Sequence, residues 1–101
     1  MRARPKIFDW TITDPEAMLP GEVPQYPLVD RMITFVVRVV FLGQEYEFMA
    51  DGFRFGKCFV WDVMHKRAVP MQHILRWKYC QGGRKPTAVE LSAVYSAESA
   101  E

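Results

Sequence analysis

The stretch from Arg31 to Val63 constrains this fold most. It runs from Arg31 to Leu42, then Gly43-Gln44, Glu45 to Ala50, Asp51-Gly52 and Phe53 to Val63. It is dense in β-branched and aromatic residues and broken by two hairpin signals. Gly-X suits a type II′ turn and Asp-Gly a type I′ turn, because these residues reach positive φ at little cost. The pattern predicts a three-stranded meander at the heart of the chain.

A two-residue turn at Gly43-Gln44 sets Phe41 opposite Tyr46, Val39 opposite Phe48 and Val37 opposite Ala50. With Ile33 and Phe35 they form the expected core face. The other face carries Met32, Thr34, Val36, Arg38, Val40, Glu45, Glu47 and Met49 and is mixed. A turn at Asp51-Gly52 places Phe53 and Phe55 on the core side and Arg54 on the mixed side. Strict alternation then points Lys57 inward, and a bulge at Gly56 restores it. That bulge puts Phe59, Trp61 and Val63 on the outer face. A sheet apolar on both sides needs a second layer, closure into a barrel, or a partner. Phe59 and Trp61 are the candidate interface aromatics.

The first thirty residues hold five of the seven prolines. Residues 1–30 therefore read as a proline-rich arm packed on a β-rich domain that spans 31–101, one domain overall. Ile7, Phe8 and Trp10 are its expected anchors. Asp14 to Leu19 reads as one helical turn with Asp14 as N-cap and Pro15 at N1, stopped by Pro20-Gly21.

Ala68 to Tyr79 carries both helix and strand signals. Pro70 could open a helix ending at Gly82-Gly83, but Leu75-Arg76-Trp77-Lys78-Tyr79 alternates with the strand period. Two short strands are expected, Ala68 to Gln72 and Leu75 to Cys80, the first at an edge because of Pro70. Thr87-Ala88-Val89-Glu90 is a capping box, and Ala88, Leu91, Val94 and Tyr95 share one helical face. A short helix is expected over 87–97, fraying from Ser96. The fold expected is mainly β (α+β): a five-stranded curled sheet or small SH3- or OB-like barrel. This is an analogy of architecture.

Net charge is +1, which selects no partner by itself. Its distribution is uneven. Between Val63 and Val89 lie six cations, Lys66, Arg67, Arg76, Lys78, Arg84 and Lys85, and no acid. From Ile7 to Asp62 nine acids face four cations. A basic strip over 66–85 is a candidate phosphate-tracking surface, helped by the amides of Gly82-Gly83. Strand geometry divides it, because Trp77 and Tyr79 point away from Arg76 and Lys78. The two rings are expected in the core.

Cys58, His65, His73 and Cys80 are separated by six, seven and six residues. Structural zinc sites use close Cys-x-x-Cys pairs, so no metal is expected. Asp62 and His65 lie near each other without a nucleophile motif, and no phosphate or dinucleotide loop is present. No catalytic residue and no cofactor is assigned, and the chain is expected to be non-enzymatic. Seven Phe, four Tyr, three Trp and six Met supply the residue types enriched at interfaces. The expected function is a small protein-interaction module or inhibitor of a larger assembly, binding a protein partner or a second copy. The alternative is a nucleic-acid-binding domain. Two cysteines and no long apolar run point to a cytoplasmic protein without a membrane partner.

Overall fold

The computed structural model describes residues 10–80 and 82–99. Ile7 and Phe8 lie outside them. Six strands form one open antiparallel sheet: β1 (Thr11–Ile12), β2 (Met32–Phe41), β3 (Gln44–Phe55), β4 (Phe59–Asp62), β5 (Arg67–Pro70) and β6 (Ile74–Tyr79). The spatial order is β1-β6-β2-β3-β4-β5, and one helix, α1 (Ala88–Ser99), follows. The sheet has two edges and is not a closed barrel. The strand beyond the expected five is β1, which the N-terminal arm adds beside β6 through Thr11–Trp77 and Ile12–Arg76.

The first turn falls one residue earlier than expected, at Leu42-Gly43. Both residues have positive φ, 52° and 78°, the type I′ pattern. Val39 therefore faces Tyr46, Val37 faces Phe48 and Phe35 faces Ala50. Moving a turn by one residue shifts each partner by two, and two is the side-chain period. The faces of the hairpin survive the slip.

Asp51-Gly52 is not a turn. β3 runs through it, with Gly52 between Ile33 on β2 and Asp62 on β4. A Cβ at Gly52 would overlap the Trp61 carbonyl and sit 3.1 Å from Cε1 of Phe35. Glycine is required there for close strand approach, not for a turn. The chain reverses at 56–58 instead, with Gly56 at φ 64°. Gly56 is thus a turn residue and not a bulge. Because β3 continues, Phe53 and Phe55 lie opposite to Ala50 rather than beside it. Phe59, Trp61 and Val63 do share their side, the outer one.

Each face has its own core. On the first, Ile33, Phe35, Val37, Ala50, Val60, Val69, Met71, Ile74 and Trp77 pack together. The arm covers this face by spending its polar groups on the sheet. Trp77 Nε1 donates to Gln25 O at 2.8 Å, Arg54 Nη1 to Pro27 O at 2.9 Å, and the Leu28 amide to the Tyr79 hydroxyl at 3.1 Å. A bulge in β6 turns the Leu75 carbonyl outward, where it accepts from Thr13 and Asp14 amides. Asp14 caps the 3₁₀ turn Pro15–Ala17 by accepting from the Glu16 amide at 3.0 Å.

On the second face, Met32, Phe53 and Trp61 pack under Val94 of α1, with Leu91 and Ala93 partly buried beside it. The capping box forms: the Glu90 amide donates to Thr87 Oγ1 at 3.2 Å, and the Thr87 amide donates to Glu90 Oε1 at 2.7 Å. The helix extends to Ser99, past the expected end. Ala88 and Tyr95 stay exposed, because only the turn around Leu91 and Val94 reaches the sheet. Pro70 ends the edge strand β5, and a 3₁₀ turn, Met71–His73, leads into β6.

Candidate interaction surfaces

Strand lengths create the most exposed feature. β2 spans ten residues and β3 twelve, while β4 has four and β6 six. β6 pairs with β2 only at residues 33–37, and β4 with β3 only at 52–55. Residues 38–49 therefore project as a hairpin with both outer edges unpaired among the described residues. Apolar side chains cover it: Val40, Phe41, Leu42, Tyr46, Phe48 and Met49 are all exposed, Phe41 by 61% and Leu42 by 85%. The alternation around Phe41, Tyr46 and Phe48 identifies their common face, but no strand or helix reaches that far to bury it. The signal available in the sequence is the mismatch between two long strands and two short ones.

The hairpin is not polar-free. Arg38 bonds Asp14 at 3.3 Å and Glu45 at 3.7 Å, and Arg76 bonds Glu47 at 3.2 Å. These pairs fix the hairpin root to the arm and to β6.

The six basic residues separate into two groups. Lys66 and Arg67 sit at the β4–β5 turn, where Arg67 Nε reaches Asp62 Oδ2 at 3.4 Å. Arg76 and Lys78 lie on β6, on the opposite face from Arg67. Both stand over the Trp10 ring, at 5.6 Å and 4.8 Å from its centroid. Trp10 thus anchors the arm beneath cations. Arg84 grips Glu90 through Nη1 and Nη2, each at 3.3 Å. The pairing, with the Thr87 amide, holds the Glu90 carboxyl below its usual range and raises the Arg84 guanidinium. Lys85 is exposed beside it. Lys78 and Arg84 meet across a cleft of about 660 Å³ lined also by Met32, Thr34, Asp51 and Cys80. Within it, Thr34 Oγ1 donates to Asp51 Oδ1 at 2.7 Å and lies 3.2 Å from Cys80 Sγ. Of the candidate aromatics, Trp61 is covered by α1 and Phe59 stays 42% exposed, stacked on Phe55.

Asp62 is wholly buried yet fully engaged. It accepts from the Met64 and His65 amides at 3.0 and 3.1 Å, and lies 2.8 Å from His65 Nδ1. This network closes the β4–β5 turn. Cys58, His65, His73 and Cys80 occupy four different places, and among the described residues no group of three or more His, Cys, Asp or Glu is disposed to hold a metal ion. No helix among them is long and apolar enough to cross a membrane. In comparisons with known proteins, the chain matches no family model, no curated protein and no solved structure.

Proposed function

We propose that this protein is a non-enzymatic interaction module, acting as an adaptor or inhibitor of a larger assembly, that docks through the hairpin 38–49. The observation that carries this reading is the exposed set Phe41, Tyr46 and Phe48 on one face of an element that projects from the sheet, with Leu42 at its tip. Contiguous apolar surface of this kind marks docking sites on soluble domains. The core beneath is complete without it, since both faces of the sheet root already have covers. Cys58 and Cys80 are free thiols, which fits a reducing cytoplasmic setting.

The test is affinity capture from cell lysate with the wild type and with Phe41→Asp/Leu42→Asp. The variant is expected to fold, because both side chains already face solvent, and to lose the captured proteins. Equal capture by a folded variant refutes the docking role of the hairpin.

A second reading rests on Trp10 between Arg76 and Lys78, a basic-aromatic cluster of the kind that tracks single strands. It requires binding to a labelled oligonucleotide that weakens with salt, by roughly 0.7 log units per log salt for each phosphate contact. Absence of binding at about 50 mM salt, where the electrostatic term is strong, ends this reading.

A further inference from the structure

We infer that the outer edge of β3, residues 44–50, accepts an extended peptide strand whose side chains alternate basic and apolar. The inference rests on the hairpin being a docking element and names what it docks.

A strand offers half of its N–H and C=O groups to each side. β2 satisfies one side of β3 from Gln44 to Phe53, while on the other side β4 pairs from Gly52 to Phe55 and the Val63 amide donates to the Asp51 carbonyl at 3.0 Å. Among the described residues nothing pairs on that side with the remaining seven, 44–50, which form an open edge roughly 24 Å long at the usual strand rise. Open edges are normally blunted by charged side chains, by proline or by a bulge. Residues 44–50 contain no proline, pair with β2 without a break and carry charge of one sign only, Glu45 and Glu47, which guards against acidic strands and not against basic ones.

The side chains define the chemistry. Glu45, Glu47, Met49 and Asp51 point to one face of β3, and Tyr46, Phe48 and Ala50 to the other. The glutamates are more than half exposed, so their bonds to Arg38 and Arg76 leave carboxylate oxygen open to a further cation. An incoming strand therefore meets an acidic row on one side and an aromatic row on the other.

A second copy does not fit this edge. Antiparallel pairing about a two-fold axis keeps like faces together, so only residues of the same parity oppose each other. Of the three such registers that pair five or more residues of 44–50, those centred on Tyr46 and on Glu47 set two acids directly opposite, Glu45 and Glu47 or Glu47 and Glu47, and the one centred on Phe48 drives Glu45 toward Asp51, whose carbonyl the Val63 amide already holds. Like charges directly opposed across strands destabilise the pair, and opposite charges stabilise it. The edge selects a basic strand and rejects itself.

The probe is a fluorescent, end-capped octapeptide in which lysine alternates with valine and threonine. It is titrated against the full chain by anisotropy, with amide exchange followed in parallel. Binding is expected, with slowed exchange at residues 45–50. A peptide with glutamate in place of lysine is expected not to bind. N-methylation at alternate backbone amides is expected to abolish binding, and Glu45→Gln/Glu47→Gln to weaken it severalfold without lowering the melting temperature. No binding of the lysine peptide overturns the inference. Equal binding of the N-methylated form also overturns it, because the attraction is then charge alone. If the peptide fails while Phe41→Asp/Leu42→Asp still loses its captured proteins, the edge assignment falls and the docking hairpin stands. If the peptide binds but capture is unchanged, the edge stands and the apolar hairpin surface falls.

Discussion

Gly52 offers the sharpest test of how the sheet is built. Its φ is not positive, so a side chain meets no backbone strain there. The obstacle is space. A new Cβ overlaps the Trp61 carbonyl and presses on Phe35, and the first neighbour is backbone, which cannot rotate away. β4 must move, disturbing the Gly52–Asp62 and Phe53–Trp61 pairs and the buried Asp62 behind them. Overpacking of this sort costs about 1–3 kcal/mol, and reduced freedom of the unfolded chain returns about 0.4–1 kcal/mol. The net for Gly52→Ala, from the middle of each range, is about 1.3 kcal/mol. With an unfolding entropy of ~2.1 cal/mol/K per residue, this lowers Tm by about 6 °C. Gly52→Asn is expected to be worse, being larger. The contrast is Gly43→Asn, where φ is 78° and nothing lies within 4 Å of a built Cβ. Asparagine tolerates that conformation, so its Tm should change little. Thermal melts of the three variants decide the matter. A turn at Asp51-Gly52 would accept asparagine at Gly52. A Gly52→Asn protein melting within about 2 °C of wild type, under ~0.5 kcal/mol on the same entropy scale, refutes the close approach of β3 and β4.

Phe35→Ala, at a site with no exposed surface, should cost about 3–5 kcal/mol in chemical denaturation. Phe48→Ala should cost about 1 kcal/mol, since the residue is 47% exposed and only about half of its surface leaves water on folding; equal costs would place both rings in one core. The Glu90 carboxyl is held below its usual range by Arg84 and Thr87, so its contribution is present above the ordinary carboxylate pKa and lost as pH falls through the depressed one. The stability gap between wild type and Glu90→Gln should therefore be open at neutral pH and close in acid, and a gap that ignores pH would remove the ion pair from the account. Thr87→Ala should cost about 1 kcal/mol by melting, through the lost cap. A chain ending at Lys85 should self-associate in light scattering, because Met32, Phe53 and Trp61 lose their cover; a folded, soluble monomer would show that α1 is not needed there.

Local chemistry is legible in this sequence because each feature needs only its near neighbours. Asp14 before Pro15, the capping box at Thr87 and Glu90, the strand period of Leu75 to Tyr79 and the edge position marked by Pro70 all appear where their residue types place them. So do the two faces of β2, because a slipped turn displaces partners by a whole side-chain period. The tertiary structure decides what depends on distant partners. Asp51-Gly52 carries a strong turn signal, yet the contact that makes Gly52 necessary comes from Trp61 on another strand. Phe41, Tyr46 and Phe48 have a core-like alternation, yet burial requires a neighbour of equal length, and β4 and β6 stop short. The six cations are close in sequence, yet strand register puts Arg67 on one face of the sheet and Arg76 and Lys78 on the other. Strand period and turn chemistry are properties of a segment, whereas exposure is a property of what the rest of the chain reaches.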